Sequence, residues 1–175
     1  MPFIRQGGRV DAMAETRPDP IRPTDAEARN LARRLLNDSR HGALGVLDPE
    51  SGGPFVSRVA TAWEGRAALI LVSALSHHSR ALMADPRCSL LVGEPGPKGD
   101  PLTHPRLTIL GRAEPADKAG WRDFWLSRHP KAALYFDFAD FAMLRLLPVA
   151  AHLNGGFGRA YRLMPADLTE GGGAA

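Results

Sequence analysis

A series of short apolar runs, separated by turns rich in Gly and Pro, is the feature that most constrains how this chain can fold. The runs recur between residues 43 and 163, and most of the links between them are short. Short links join antiparallel neighbours, because a parallel pair needs a long crossover connection. We therefore predict a mainly β fold with flanking helices, in which an antiparallel sheet closes into a small barrel and so removes its exposed edges.

The limits of the elements follow from hydrophobic periodicity and from turn residues. The predicted strands are Ala43–Leu47, Phe55–Trp63, Ala67–Ser73, Cys88–Gly93, Arg106–Glu114, Phe141–Leu147, Val149–Asn154 and Ala160–Leu163. The predicted helices run from Thr24 to about Arg40–Gly42, over Ser76–Ala84 and over Ala116–His129. The first helix has the clearest signal, since Thr24 and Glu27 have the spacing of a capping box.

The chain of 175 residues is long enough for one domain with a hydrophobic core and short for two. Residues 1–23 contain four prolines and no apolar period, which predicts a flexible N-terminal arm. Either Met1 or Met13 could be the natural start. Residues 24–165 form the predicted domain, and residues 166–175 are predicted to be a disordered tail.

Composition and charge narrow the class of partner. The net charge is +3 and the pI about 9.5, with Lys and Arg scattered along the chain, which argues against a nucleic-acid partner. No apolar stretch is long enough to span a membrane, and the N-terminus lacks the apolar core of a signal peptide. The single cysteine, Cys88, excludes a disulfide framework and fits a reducing compartment. We therefore expect a soluble cytoplasmic protein.

The segment SALSHHSRAL, residues 73–82, combines hydroxyls, imidazoles and a guanidinium at a predicted helix start. The N-terminus of a helix exposes unpaired N–H groups and the positive end of the helix dipole, so this segment is a candidate phosphate site. A polar turn that simply caps the helix is an equally good interpretation. Metal binding by His77 and His78 is disfavoured, because adjacent histidines on a helix diverge.

Further polar groups lie on predicted strands. Arg58, next to Ser57 in an apolar strand, would neutralise a phosphate if it pointed to the helix start, whereas a surface-facing arginine explains it equally well. Arg106 and Thr108, on the fifth predicted strand, could likewise face either a ligand or the solvent. The glycines of HLNGGFGRAY, residues 152–161, allow either close approach of a flat ligand or a tight hairpin. No Walker loop, dinucleotide fingerprint, catalytic triad or carboxylate pair is recognisable.

In order along the chain, these segments resemble the FMN-binding split-barrel superfamily related to pyridoxamine 5′-phosphate oxidase, and within it the haem-iron-utilisation branch. The resemblance spans about residues 28–163 and rests on PFVSRVATAW, LILVSALSHHSRALMADPRCSLLV and HLNGGFGRAYRL. It implies an antiparallel split β-barrel and a homodimer that holds FMN at the subunit interface. A cofactor that carries the redox chemistry would also explain the absence of a catalytic triad.

The resemblance also implies which residues contact the flavin. Those against the FMN phosphate would be Arg58, Ser76, His77 and His78, with Ser79 in support. The remaining contacts would come from Ser57, Val59, Val72, Ser73 and, from the partner chain, Arg106. No metal-ion site is predicted. Haem is a further candidate as ligand or substrate, with His152, His77 or His78 as the residue that could ligate its iron.

The leading functional prediction is an FMN-dependent oxidoreductase that acts on an unknown small-molecule substrate. A haem-binding or haem-degrading protein of the same family is the runner-up. The sequence also allows a flavin-binding protein without turnover, or a dimeric module that binds a different phosphorylated ligand. The ending FGRAYRLMPADL lacks the His and Asp that match the phosphate-gripping segment of pyridoxamine-phosphate oxidases, so oxidation of that vitamin is disfavoured.

Overall fold

The structure of the protein is a computed structural model that describes residues 21–169, so the predicted arm up to residue 20 and the predicted tail from residue 170 lie outside the described residues. The strands are β1 (Ile21–Arg22), β2 (His41–Leu47), β3 (Pro54–Ala60), β4 (Ala62–Trp63), β5 (Ala68–Ser73), β6 (Arg87–Val92), β7 (Arg106–Ala116), β8 (Phe141–Asn154) and β9 (Ala160–Leu163). The helices are α1 (Ala26–Asp38), α2 (His77–Ala84), α3 (Arg122–Arg128) and α4 (Pro165–Leu168), and single 3-10 turns lie at Pro101–Thr103 and Pro130–Leu134.

A closed ring of strands forms a barrel. β2 pairs with β3 and β6, β6 pairs with β7, and β7 pairs with β8, all antiparallel. β5 pairs with the other edge of β8 and with β4, and only Thr61 separates β4 from β3. The ring is therefore closed by two register pairs, Ala62 with Leu69 and Trp63 with Ala68.

The barrel is split between β3 and β5. Along its length β3 pairs only with β2, and the closing pairs with β5 come from β4. α2 follows β5 in the chain and contacts β2 and β3, so it bridges the two sides of the opening. This architecture confirms the predicted fold class, a mainly β, antiparallel split barrel with flanking helices.

β8 runs as one strand through Pro148, where the sequence pattern predicts a break between two strands. One edge of β8 pairs with β5 up to Leu146 and with β9 from Ala151. Pro148 lies between these two ladders, so its missing N–H costs no hydrogen bond on that edge. On the other edge, a register shift between Leu110 and Gly111 of β7 absorbs the irregularity.

Two apolar clusters hold the layers together. The larger fills the barrel, and Leu44, Ile70 and Leu146 within it are each at most 1% exposed. The smaller lies around Trp125 of α3 and Phe136, which pack with residues of β5 and β8 that face away from the barrel interior. Removing each such side chain from water contributes roughly 1.5–3 kcal/mol, so packing from both sides fixes the sheet.

α1 begins one residue later than the capping-box interpretation predicts. Asp25 is the N-cap, because its Oδ1 accepts a hydrogen bond from the Ala28 N–H at 2.7 Å. Thr24 instead donates its hydroxyl to the Arg162 carbonyl at 2.8 Å. The start of the helix is thereby fastened to β9.

The predicted domain limits leave out two short elements. The domain is predicted to begin at residue 24 and to end at residue 165, but β1 pairs with β9 at residues 21–22, and α4 follows β9. Leu168 of α4 is 1% exposed and belongs to the barrel core, so residues 166–169 are folded and the prediction of a tail is wrong for them. α3 is also shorter than predicted, because β7 extends to Ala116 and a turn at residues 118–121 precedes the helix.

Replacing Leu82 tests whether α2 is an integral part of the barrel. Leu82 is 5% exposed, and we expect Leu82→Ala to lower the free energy of unfolding by about 2–5 kcal/mol, because it removes a buried side chain. Met83, its neighbour on the same helix, is 81% exposed, so Met83→Ala is the matched control and should change stability by less than about 0.5 kcal/mol. Equal losses in urea denaturation would contradict this packing.

Candidate functional site

Ser76 caps α2, as both interpretations of its sequence require. Its hydroxyl accepts a hydrogen bond from the Ser79 N–H at 3.3 Å and donates one to the Ser73 carbonyl at 2.8 Å. The hydroxyls of Ser76 and Ser79 lie 2.7 Å apart, and Ser79 is buried. Serine side chains thus close the first turn of α2 on itself.

Two carboxylates lie among the residues predicted to hold a phosphate. Ser73 donates its hydroxyl to Asp140 at 2.6 Å. His77 Nε2 lies 3.0 Å from Asp48 Oδ1, and the rings of His77 and Phe55 are in contact, with centroids 4.5 Å apart. Asp48 belongs to the turn between β2 and β3, so this contact ties α2 to that turn.

Asp48 and His78 have pKa values below their ordinary ranges. The hydrogen bond from the Ser51 hydroxyl is the largest cause that lowers the pKa of Asp48, which keeps this carboxylate ionised. Burial lowers the pKa of His78, and the neighbouring His77 adds to the effect. At neutral pH, His78 is therefore uncharged, with its Nδ1 at hydrogen-bonding distance, 3.1 Å, from Ser57 Oγ.

As described, this cluster does not fit a phosphate group. Ser73, Ser76, His77 and His78 are each engaged in a hydrogen bond within the chain, and the two carboxylates would repel an anion. These bonds would have to be exchanged before the side chains could hold FMN by its phosphate. The assignment of the cluster to a flavin therefore stays a prediction. In the described structure, the cluster caps α2 and holds the helix against the turn between β2 and β3.

β3 directs its predicted site residues to opposite sides. Val59 is 6% exposed and belongs to the barrel core, so Ser57 shares its inner face while Arg58 lies on the outer face. Arg58 is exposed and forms no hydrogen bond or ion pair with any described residue. Within one chain, Arg58 and Ser76 therefore do not form a common phosphate site.

The two remaining residues predicted to contact the flavin serve the barrel itself. Val72 is 4% exposed in the barrel core. Arg106, the first residue of β7, donates its Nη1 hydrogens to the carbonyls of Leu102 at 2.9 Å and His104 at 3.4 Å. Arg106 thereby holds the loop that precedes β7.

A row of outward-facing side chains crosses the sheet. The sequence alone does not show which residues of neighbouring strands belong to this row. The strand register places one outward residue on each of six neighbouring strands, from β3 to β9. In order they are Arg58, Ala43, Leu91, Thr108, His152 and Arg162. Neighbouring strands lie about 4.8 Å apart, so five steps separate the two terminal arginines by about 24 Å.

The adjacent row on the same side of the sheet is largely apolar. It runs through Val56, Gly45, Ser89, Leu110 and Ala150. Val56 is 64% and Leu110 is 42% exposed, which leaves apolar surface open to solvent. A Cβ added at Gly45 would lie 2.6 Å from the Ser89 hydroxyl, so a larger side chain at this position would collide with Ser89. With glycine there, no side chain projects from the middle of this row. We call these two rows the outer sheet face.

His152 is the residue of the outer sheet face best suited to contact a ligand. It is exposed and forms no hydrogen bond or ion pair with any described residue. An imidazole that is not engaged, beside an apolar surface, is available to a ligand that brings its own metal. Sequence alternation indicates which residues of each strand point outward, but only the register shows that His152 and Arg58 share one row.

The described side chains supply neither a metal site nor a reactive thiol. Among residues 21–169, no three His, Cys, Asp or Glu side chains are grouped to hold a metal ion. Burial raises the pKa of Cys88 to about 11, so its thiol stays protonated. In the same part of the chain, no helix has the length and apolar character needed to cross a membrane.

The lowered pKa of His78 predicts a loss of stability in mild acid. As the pH falls through about 6.5, the unfolded chain protonates this histidine, whereas the folded chain does so only at lower pH. The free energy of unfolding should therefore decrease below about pH 6.5, with a shallower slope in His78→Asn. Burial also lowers the pKa of His129, but His129 is present in both proteins. Urea denaturation across this range measures both slopes, and identical slopes would refute the effect.

Known proteins similar to this chain include haem proteins by name. Residues 29–154 match the family described as pyridoxamine 5′-phosphate oxidase. A protein of Arabidopsis thaliana, named non-canonical heme oxygenase HOZ, chloroplastic, is 35% identical over an alignment of 136 residues that covers 74% of this chain and 40% of that protein. The solved structure of a heme binding protein from Mycobacterium smegmatis is 30% identical with a TM-score of 0.76, over 85% of this chain and 61% of that chain. This chain thus spans less than two thirds of either relative.

The structure of Campylobacter jejuni ChuZ shares the fold. Its TM-score is 0.74 at 16% identity, over 85% of this chain and 63% of that chain, and at this identity the likeness shows the fold alone. The family match extends from α1 to the last residue of β8 and so includes the whole ring of barrel strands. Barrel topology and family match agree, and the chain belongs to the pyridoxamine 5′-phosphate oxidase family.

Proposed function

We propose that this chain is a haem-binding member of its family and that haem binds on the outer sheet face. The observation that carries most weight is the identity of its relatives, since one is a heme oxygenase by name and another a heme binding protein. Because this chain spans only part of each, any activity of those whole proteins is a proposal for it. A haem protein, the runner-up predicted from the sequence, is thus better supported than an FMN-dependent oxidoreductase.

The chemistry of the outer sheet face suits haem. Haem is a flat apolar ring that carries two carboxylate groups and an iron able to take a histidine ligand. The outer sheet face offers exposed apolar side chains, such as Leu91 and Leu110, and one exposed imidazole, His152. The guanidinium group of Arg162, on the strand next to His152, forms no ion pair with any described residue, and guanidinium groups bind carboxylates through charge-assisted hydrogen bonds.

A second copy of the chain is the partner that this site needs. The outside of a barrel is convex, so a flat ligand that lies on it leaves its other side open to water. A second barrel would cover that side and would also bury Val56, Leu91 and Leu110. The predicted homodimer is therefore part of the proposal. Sedimentation of the haem-loaded protein tests it, and a monomer that retains haem would refute this part.

Binding of FMN is the second candidate. Family membership supports it, whereas the cluster at the start of α2 is engaged in its own hydrogen bonds. When bound, FMN would supply the electron-transfer chemistry. On the outer sheet face, Arg58 is a cation without an ion pair to any described residue, and it could meet the FMN phosphate.

Oxidative breakdown of haem is the catalytic form of the leading proposal, and the name of the Arabidopsis relative favours it. Such a reaction consumes dioxygen and electrons from an external donor. Incubating the haem-loaded protein with ascorbate in air therefore separates turnover from binding. Loss of the Soret band with release of iron supports turnover, and a Soret band that persists limits the function to binding.

Titration with haem tests the proposed site directly. We expect a Soret band, and we expect His152→Ala to shift that band or to weaken haem binding by at least about tenfold, because it removes the imidazole of the outer sheet face. His104→Ala is the matched control, since His104 lies in the loop before β7, and it should leave the titration unchanged. A protein that ignores haem would refute the proposal, and a yellow flavin spectrum would favour the second candidate.

A further inference from the structure

A cleft lies apart from the outer sheet face, and haem binding as proposed does not use it. Its volume is about 680 Å³, within the range of sites that hold small organic molecules. It is bounded by α1, the turn between β4 and β5, α3 and the C-terminal end of the described chain. None of the residues that line it belongs to either row of the outer sheet face.

Three arginines line the cleft, and none forms an ion pair with a described residue. Arg33 Nε donates to the Asp167 carbonyl at 3.0 Å, and Arg128 Nη1 donates to the Asn37 carbonyl at 2.8 Å. These neutral oxygens hold both guanidinium groups in place without neutralising their charge. Arg66, in the turn between β4 and β5, is exposed and forms no hydrogen bond with any described residue.

Glu64 is the one carboxylate among the described residues that line the cleft, and it forms an ion pair with Arg145. Its Oε1 accepts a hydrogen bond from Arg145 Nη2 at 2.7 Å, and its side chain is 8% exposed. The remaining charge of the cleft is therefore positive. Fixed cations in a recess attract anions, and guanidinium groups match the geometry of phosphate and carboxylate.

Two aromatic side chains line the wall of the cleft, and the partly buried Phe124 is the more accessible of the two. Trp63 lines the cleft and is 4% exposed, and its indole N–H forms no hydrogen bond with any described residue. Phe124 lies beneath Arg128, whose guanidinium carbon is 5.4 Å from the ring centroid. A planar ligand could pack against these side chains, because aromatic rings associate by offset or edge contacts and pair with guanidinium groups.

We infer that this cleft binds a small molecule in which an aromatic ring carries a phosphate or carboxylate group. The anionic group is held by Arg33, Arg66 and Arg128, and the ring contacts Phe124 and the small part of Trp63 that reaches the cleft. The inference rests on residues outside the outer sheet face, so it stands or falls independently of haem binding.

Calorimetric titration of the full chain with 1-naphthyl phosphate tests the inference. 1-Naphthol lacks the charge and inorganic phosphate lacks the ring, so each should bind at least about tenfold more weakly. Added salt should weaken the binding of 1-naphthyl phosphate, since the charges are partly screened. No binding of this probe, or equal binding of 1-naphthol, would overturn the inference.

Two variants determine whether the probe occupies this cleft. Arg66→Ala alters an exposed turn residue that forms no hydrogen bond or ion pair with any other described residue. It should weaken the binding of 1-naphthyl phosphate by about tenfold and leave the thermal unfolding temperature unchanged. Arg34→Ala is the matched control, because Arg34 is the exposed neighbour of Arg33 and does not line the cleft. The assignment would be overturned if Arg66→Ala bound the probe as tightly as the unchanged protein, or if Arg34→Ala lost as much affinity as Arg66→Ala. It would also be overturned if Arg58→Ala lost affinity instead of Arg66→Ala.

Discussion

Two residue pairs close this barrel, Ala62 with Leu69 and Trp63 with Ala68, and the rest of the structure depends on them. Among the described residues they form the whole ladder between the β3–β4 segment and β5. All four residues are at most 4% exposed, and the buried Thr61 hydroxyl adds a hydrogen bond to the Leu69 carbonyl at 3.1 Å. Hydrogen bonds shielded from water in this way are stronger than exposed ones. The closure bends the outer sheet face and also places Trp63 in the arginine-lined cleft.

The start of α2 shows that the same residue types can serve either a ligand or the fold. Serines and histidines at a helix N-terminus predict an anion site when only the local sequence is considered. In the folded chain two of these residues have partners from distant segments, since His77 pairs with Asp48 of the turn after β2 and Ser73 with Asp140, the residue before β8. Because a buried polar group without a partner is costly, these internal bonds stabilise the fold. Family membership therefore does not by itself carry a flavin site to this chain.

The fold was predictable wherever local sequence and tertiary context favour the same structure. Alternating and apolar runs identified the barrel strands, and turn residues identified most of their limits. The break predicted at Pro148 was wrong, because that proline lies between the ladders with β5 and β9, where one edge of β8 has no partner strand. The N-cap was misplaced because Thr24 and Asp25 are both good caps locally, and the choice depends on a carbonyl 138 residues away. The outer sheet face required the register, since Arg58 and His152 come from strands that no local pattern relates.

The split leaves one edge of β3 without a neighbouring strand among the described residues. Such an edge offers free N–H and C=O groups to a strand of another molecule, which is a common first step of aggregation. β3 begins with Pro54, which has no N–H to offer, and carries the charged Arg58. Prolines and charges on edge strands oppose the stacking of further strands. The incomplete sheet is thus built with two residue types that oppose edge-to-edge association between copies of the chain.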